Sequence, residues 1–202
     1  MTKTYLDKVY DTKADKLTDL YDEWAGDYDG ELTDNGYATP GRLARTLARV
    51  APDLGAPLLD FGCGTGLGGA ALAAVGFSTL DGCDVSQGML EEAQQKGLYR
   101  NLWITEADGA LPFDLANYNL VTAIGVISTG AAPPQVLEQL VDQMAPGAML
   151  AFSFNDHTLD DPAYMDALAA VTEDAAFIVT EDMGDHITSL GSKSKVFVLE
   201  IA

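Results

Sequence analysis

Apolar residues fall along this chain in blocks that switch between two periods. Short, mostly apolar runs at 58–61, 102–105, 119–124 and 149–154 have the length and composition of strands, and the stretch 77–84 reads as a second strand ending at Asp84. Between them the spacing is helical. Leu43, Leu47 and Val50 follow Thr39-Pro40; the run 70–75 stops at Gly76; Met89, Leu90 and Ala93 lie between Ser86 and Gly97. Val136, Leu137, Leu140, Val141 and Met144 form one strong amphipathic face that Pro146-Gly147 ends. Thr39 and Ser86 are expected as helix N-caps, with Pro40 at a first helical position. Strand and helix thus alternate, which predicts an α/β sheet of parallel strands. The run 119–124 is apolar almost throughout and is expected at the sheet's centre. The tail departs from this alternation. It predicts a helix near 162–173, then strands at 177–180 and 196–201 joined across 181–194 as a hairpin-like pair.

Two stretches precede this pattern. Residues 1–16 are polar and mixed in charge and read as a mobile or loosely helical lead-in. Residues 19–29 place Tyr21, Trp24 and Tyr28 on one helical face. Such a face either packs on the core or forms an aromatic lid over a ligand.

A chain of 202 residues, nearly half hydrophobic, can build a full core, and one domain is the better count. We expect a single domain over 1–202, with a helical cap over 1–50 and a Rossmann-like core over 55–202. No run nears the ~20 apolar residues of a membrane span, and the first residues lack the apolar segment of a signal peptide. The expectation is a cytoplasmic protein without a membrane partner. Its 31 acidic against 11 basic residues give a formal charge of −20. Nucleic-acid binding rests on Lys and Arg neutralising phosphates, so a nucleic-acid partner is not expected. Cys63 and Cys83 make neither a disulfide framework nor a metal site and read as small apolar groups, so no metal is expected.

The chemistry is concentrated at Leu58-Leu59-Asp60-Phe61-Gly62-Cys63-Gly64-Thr65-Gly66. A strand ends in a carboxylate, and alternating glycines then let the backbone turn sharply and approach a ligand. A helix follows, so backbone N–H groups face whatever binds. Asp84 lies at the end of the second strand, roughly 20 residues past the glycines, the place of an acid that accepts hydrogen bonds from ribose hydroxyls. The dinucleotide pattern is met by Gly64, Gly66 and Gly69, so glycines alone do not choose the ligand. Asp60 argues against a pyrophosphate beside it and for an amine. Asp108-Gly109, after the third strand, suits the exocyclic amine of adenine. No hydride-transfer signature such as Tyr-x-x-x-Lys is present.

These stretches, with Leu80–Leu90 and Ala107-Asp108-Gly109-x-Leu111-Pro112-Phe113, resemble class I S-adenosylmethionine-dependent methyltransferases. Tyr21-Asp22-x-Trp24-Ala25-x-x-Tyr28-Asp29 and Lys96-Gly97-Leu98-Tyr99 narrow the resemblance. They point to the methyltransferase-like subfamily that includes the Williams–Beuren syndrome chromosome region methyltransferase. The match covers roughly residues 18–155. Asn119 and Pro146-Gly147-Ala148 depart from the common Asp and Pro-Gly-Gly of relatives, away from the expected ligand contacts.

The resemblance implies a Rossmann-like, seven-stranded, mostly parallel sheet with helices on both faces, an antiparallel last strand and an N-terminal helical cap. It implies S-adenosyl-L-methionine as cofactor. The backbone of Gly62, Gly64 and Gly66 would follow its methionine part and Asp60 would place its amine. Asp84 would take the ribose hydroxyls, Val85 and Met89 would sandwich the adenine, and Asp108 with Gly109 would read its edge. Ile124 would offer main-chain contact, and Tyr21, Trp24 and Tyr28 would close over the ligand.

No acceptor motif accompanies these residues. The segment 125–130 lacks Asn-Pro-Pro-Tyr, Asp-Pro-Pro-Tyr and a Pro-Cys nucleophile, which leaves methylation of nucleic-acid bases unsupported. Of the two histidines, His157, after the fifth strand, is the better base candidate and His186 the lesser. The acceptor pocket, built from the cap and the loops after Ile124 and Phe154, is aromatic, small and apolar, which favours a small-molecule acceptor. A non-catalytic module binding S-adenosylmethionine or S-adenosylhomocysteine is the alternative, and an NAD-dependent oxidoreductase a weaker one.

Overall fold

Leu58 and Leu59 are both fully buried, one on each face of the strand they open, so a single short run draws helices to two sides of a sheet. The computed structural model describes residues 8, 12, 16–106 and 111–202, so the lead-in 1–16 lies almost wholly outside the described residues. Helix α1 (Leu17–Asp34) and helix α2 (Thr39–Ala48) come first. Then β1 (Leu58–Phe61), α3 (Leu67–Ala74), β2 (Leu80–Asp84), α4 (Gln87–Lys96) and β3 (Tyr99–Ile104) alternate. They continue with β4 (Leu120–Ala123), α5 (Gln135–Gln143), β5 (Met149–Asn155), the short α6 (Asp156–Leu159) and α7 (Pro162–Asp174). Strands β6 (Ala176–Asp185) and β7 (Lys193–Ile201) close the chain.

The seven strands form one sheet in the order β3-β2-β1-β4-β5-β7-β6. Neighbours from β3 to β5 are parallel, and β7 runs antiparallel to both β5 and β6. The expected mostly parallel sheet with a reversed last strand is what forms. The order turns back at β1 and β4, so the carboxyl ends of these two strands bound the crevice in which ligands of such sheets bind.

Alternation along each strand sorts the core into two layers. Leu59, Val121, Leu150 and Phe152 face α5 and α7, packing with Leu137, Leu140, Leu168 and Val171. Leu58, Leu120, Met149, Ala151 and Val198 face α2 and α3, packing with Leu43, Leu47 and Leu72. The expected cap of 1–50 therefore divides: α1 stands at the ligand end, while α2 is part of the core layer.

Three local expectations change. Thr39 is not an N-cap: Ala38 holds that position, and the buried Thr39 hydroxyl is turned to Ser194 and His186. Helix α3 starts at Leu67, three residues before the apolar run. The final pair is longer than the runs 177–180 and 196–201, because β6 runs from Ala176 to Asp185 and its pairing continues through the mostly polar residues 181–185. Edge residues can be polar without losing the backbone ladder, so their composition hid the strand.

Phe152 is fully buried and meets the rings of Phe154 and Phe197 at 5.0 and 5.2 Å. Phe152→Ala should cost about 3–5 kcal/mol of stability, measured by denaturant unfolding; a loss below about 1 kcal/mol would contradict this packing.

Candidate active site

The crevice is built around Asp60, which points from β1 into the sheet's ligand end with only 1% of its surface exposed. Its carboxylate is held by two hydroxyls: Thr122 Oγ1 donates to Oδ1 at 2.8 Å and Tyr99 Oη donates to Oδ2 at 2.7 Å. Thr122 is the residue opposite Asp60 in the β1–β4 register. Tyr99 opens β3, two strands away, and reaches across because Gly69 leaves room for its hydroxyl, while Gly68 leaves room for the Asp60 carboxylate itself. A Cβ on Gly69 would collide with the Tyr99 oxygen, and one on Gly68 would meet Asp60 Oδ2 at 3.0 Å. The Gly69 N–H in turn donates to Tyr99 Oη at 3.1 Å. Burial pushes Asp60 up to about 6, opposed by the two hydroxyl bonds and aided by the nearby Asp84.

The glycine loop is pinned from the next strand. Asp84 Oδ2 accepts the Gly64 N–H at 2.8 Å and Oδ1 accepts the Ser86 N–H at 2.9 Å. Burial raises the Asp84 carboxyl above its ordinary range despite these bonds. Gly62 has φ +66°, and a Cβ there would collide with the Val126 side chain. Gly64 has φ +53°, and a Cβ there would meet nothing within 4 Å, so its backbone borders open space. Gly66 serves packing: it caps α3, and a Cβ would press on Tyr99 at 3.2 Å.

Helix α1 is tied to this loop by carboxylates. Asp29 accepts from Thr65 Oγ1 at 2.5 Å and pairs with Lys96 Nζ at 2.6 Å, and Lys96 also donates to the Thr65 carbonyl. Asp22 Oδ1 accepts from Ser86 Oγ and from the Gly88 N–H at the start of α4. The expected Ser86 cap forms as well, receiving the Met89 N–H at 3.1 Å.

Two neighbouring clefts result. The smaller, about 340 Å³, is lined by Asp60, Gly62, Cys63, Gly64, Thr65, Gly68 and Ile124, with Tyr28, Tyr37, Pro40 and Leu67. The larger, about 600 Å³, is walled by Tyr21, Trp24, Tyr28, Leu32 and Tyr37, the segment around Gly125–Ala131, Ser153, Asn155, His186 and Ile187. Tyr28 and Tyr37 belong to both. Trp24 and Tyr28 meet edge to face at 4.5 Å, so the aromatic face is at once a packed cluster and a cleft wall.

The sequence-predicted residues are distributed accordingly. Asp60, Gly62, Gly64, Ile124 and Tyr28 share the smaller cleft, while Tyr21, Trp24 and Tyr28 line the larger. Asp84, Val85, Met89 and Gly66 line neither; Val85 is exposed and Met89 is buried. Asp108 and Gly109 lie outside the described residues. The preference for His157 reverses: it is exposed on α6 and lines neither cleft, whereas His186 stands in the larger cleft's wall. Cys63 and Cys83 are buried, and burial pushes the Cys83 thiol up to about 12, so both remain thiols at neutral pH. Tyr99 is legible in the sequence only as part of a motif; its reach to Asp60 is not.

This sheet order and crevice are the fold of class I S-adenosylmethionine-dependent methyltransferases. A family model described as a methyltransferase domain matches residues 59–150. The chain is 36% identical to human methyltransferase-like protein 27 over 158 residues, covering 76% of this chain and 63% of that protein. It is 32% identical to demethylmenaquinone methyltransferase of Clavibacter sepedonicus over 142 residues, 68% of this chain and 57% of that one. The chain thus spans about three fifths of these relatives' length. Its fold also matches the crystal structure of magnesium protoporphyrin IX methyltransferase from Synechocystis PCC 6803 with bound S-adenosylmethionine. There the TM-score is 0.60 at 18% identity, over 80% of this chain and 79% of that one.

Removing the Tyr99 hydroxyl strips Asp60 of one donor and the Gly69 N–H of its acceptor. Tyr99→Phe should lower stability by about 1–3 kcal/mol in denaturant unfolding, and should move the Asp60 titration further upward in carboxyl-carbon NMR. An unchanged Asp60 titration would show that this hydroxyl does not hold the carboxylate.

Proposed function

We propose that the chain is an S-adenosylmethionine-dependent methyltransferase acting on an uncharged small molecule. It is read as one domain of the methyltransferase-like subfamily named above. The observation that carries the proposal is the shared wall of Tyr28 and Tyr37. It sets a cleft with one buried carboxylate beside a second cleft lined by aromatic, small and neutral polar residues.

The residues fit the cofactor. The loop backbone at Gly62 and Gly64 can approach a ligand closely, and Gly64 borders space that a side chain would fill. Asp60 offers an anion to the amine of the methionine part, and Ile124 lines the same cleft. Asp84 is assigned to the ribose hydroxyls in addition to pinning Gly64. Val85, Met89, Asp108 and Gly109 keep the adenine roles that the resemblance implies. When bound, S-adenosylmethionine supplies a methyl group on a positive sulfonium, which passes to a lone pair of the acceptor. The chain's own contribution is to hold the two clefts in register and to exclude water with Tyr21, Trp24 and Tyr28, the main effects such a transfer needs. Among the described residues, no Cys, Lys or carboxylate lines the acceptor cleft, so none of these is placed there to take a proton from the acceptor.

Calorimetric titration with S-adenosylhomocysteine, with NAD as comparison, should show micromolar binding of the first alone. Tight binding of NAD without S-adenosylhomocysteine would replace this reading with an oxidoreductase.

Asp60 adds a pH dependence. Its pKa lies near 6 in the free chain, and a cationic amine favours the ionised form. Affinity for S-adenosylhomocysteine should therefore be flat above pH 7 and fall as pH drops through 6, to about tenfold weaker at pH 5. Affinity constant from pH 7 to 5 would remove Asp60 from the amine's contacts.

A further inference from the structure

A line of hydrogen bonds runs from the edge of the sheet to the wall of the larger cleft. Arg42, on α2, is fixed at one end: its guanidinium bonds Asp182 Oδ2 at 2.8 and 3.1 Å and the Asp182 carbonyl at 2.6 Å. Its Nη1 donates to Ser194 Oγ at 3.0 Å. Ser194 Oγ lies 2.8 Å from Thr39 Oγ1, and Thr39 Oγ1 lies 2.9 Å from His186 Nδ1. Ser194 and Thr39 are fully buried, out of reach of water.

The proton positions along this line follow from counting. Arginine can only donate, so Ser194 Oγ accepts from Arg42 and has one proton to give. Thr39 Oγ1 is its remaining partner. Thr39 then accepts from Ser194 and gives its own proton to His186 Nδ1. The reverse order would leave the Ser194 proton with no acceptor in a buried place, which is costly. His186 Nδ1 is therefore an acceptor, and the neutral ring carries its proton on Nε2.

We infer that His186 is a positioning residue, fixed by Arg42, Ser194 and Thr39 as an Nε2–H donor toward the methyl acceptor. This deepens the proposed function and rests on it. With Nδ1 turned to the buried Thr39, Nε2 is the polar atom the ring has left for the cleft it lines. Tyr37 holds the ring edge to face at 5.3 Å. Among the described residues, no Asp, Glu, Lys or Arg lines this cleft, so the Nε2–H is a directional contact in neutral surroundings. It selects an acceptor molecule that presents a lone pair there: a carbonyl, ether or hydroxyl oxygen, or a ring nitrogen. It takes up no proton from the reacting group. The charged groups around the ring agree. Burial, Arg42 and His157 lower its pKa to about 4, and only Asp156 opposes them, so the ring is neutral at pH 7.

The test uses the whole chain labelled with ¹⁵N-histidine. The chain has two histidines, and His157→Gln assigns their signals. Long-range ¹H–¹⁵N correlation at pH 7 should show His186 as the Nε2–H tautomer, and titration should leave it neutral down to about pH 5. Thr39→Val should convert it to a tautomer mixture, and Ser194→Ala provides the same test should the valine variant fail to fold. An Nδ1–H tautomer, a mixture in the unaltered chain, a charged ring at pH 7 or a tautomer indifferent to both variants would overturn the inference. The measurement needs neither cofactor nor turnover. A chain that fails to bind S-adenosylhomocysteine yet shows the fixed tautomer loses the functional reading, not the relay.

Discussion

The buried carboxylate of Asp60 is the constraint on which the ligand end of this protein depends. An ionised carboxylate out of water must be bonded on both oxygens or it gives up its charge. Thr122 answers for one oxygen by strand register alone. The other requires Tyr99 to cross from β3 over the start of α3, and that crossing requires glycine at 69, while glycine at 68 leaves space beside the carboxylate. Gly66 leaves the same tyrosine room. The glycines of this segment thus have two physical purposes. Gly62 and Gly64 shape the backbone beside the cleft; Gly66 and Gly69 let one aromatic ring reach one carboxylate, and Gly68 leaves that carboxylate its space.

The cap is joined to this arrangement by the same chemistry. Asp22 and Asp29 both use α1 carboxylates on groups that belong to the glycine loop or to the two ends of α4. The Lys96–Asp29 pair is partly exposed and contributes little by itself. The Asp22 bonds differ in kind, since they occupy N–H and O–H donors at a helix N-terminus, where a negative charge is favoured. The position of α1 therefore depends on donors adjacent to Asp84, and the glycine loop, Asp84 and the cap share one hydrogen-bond network. In a chain of net charge −20, Asp22, Asp29, Asp60 and Asp84 are each bonded to specific donors.

Legibility follows the range of the interaction. Strands β1, β4 and β5 announce themselves as apolar runs because both their faces are buried. Ser86 reads as a cap because its partner lies three residues away. Edge strand β6 reads short because one side of its ladder meets solvent and tolerates polar residues. Thr39 has the local signature of a cap, but contacts with Ser194 and His186, about 150 residues away, take its hydroxyl. The two histidines mislead for the same reason. His157 follows a strand that ends at the crevice, but the turn of α6 carries it to the surface, while the β6–β7 connection brings His186 back over Tyr37. Nothing within a few residues of either histidine encodes that difference.

The two clefts divide the electrostatic work under the proposed function. The smaller has a single buried acid, whose charge is poised near neutrality until a cation arrives. The larger has none among the described residues, and its one histidine ring is held neutral. Charged groups in the acceptor cleft would have to be desolvated together with the acceptor, at a cost of several kcal/mol each. A neutral wall avoids that cost, while Asp60, Asp84 and Asp29 stand around the smaller cleft and its glycine loop. The acceptor's reacting lone pair then faces neutral groups alone in the larger cleft, so that its approach to the methyl group costs no desolvation of a protein charge.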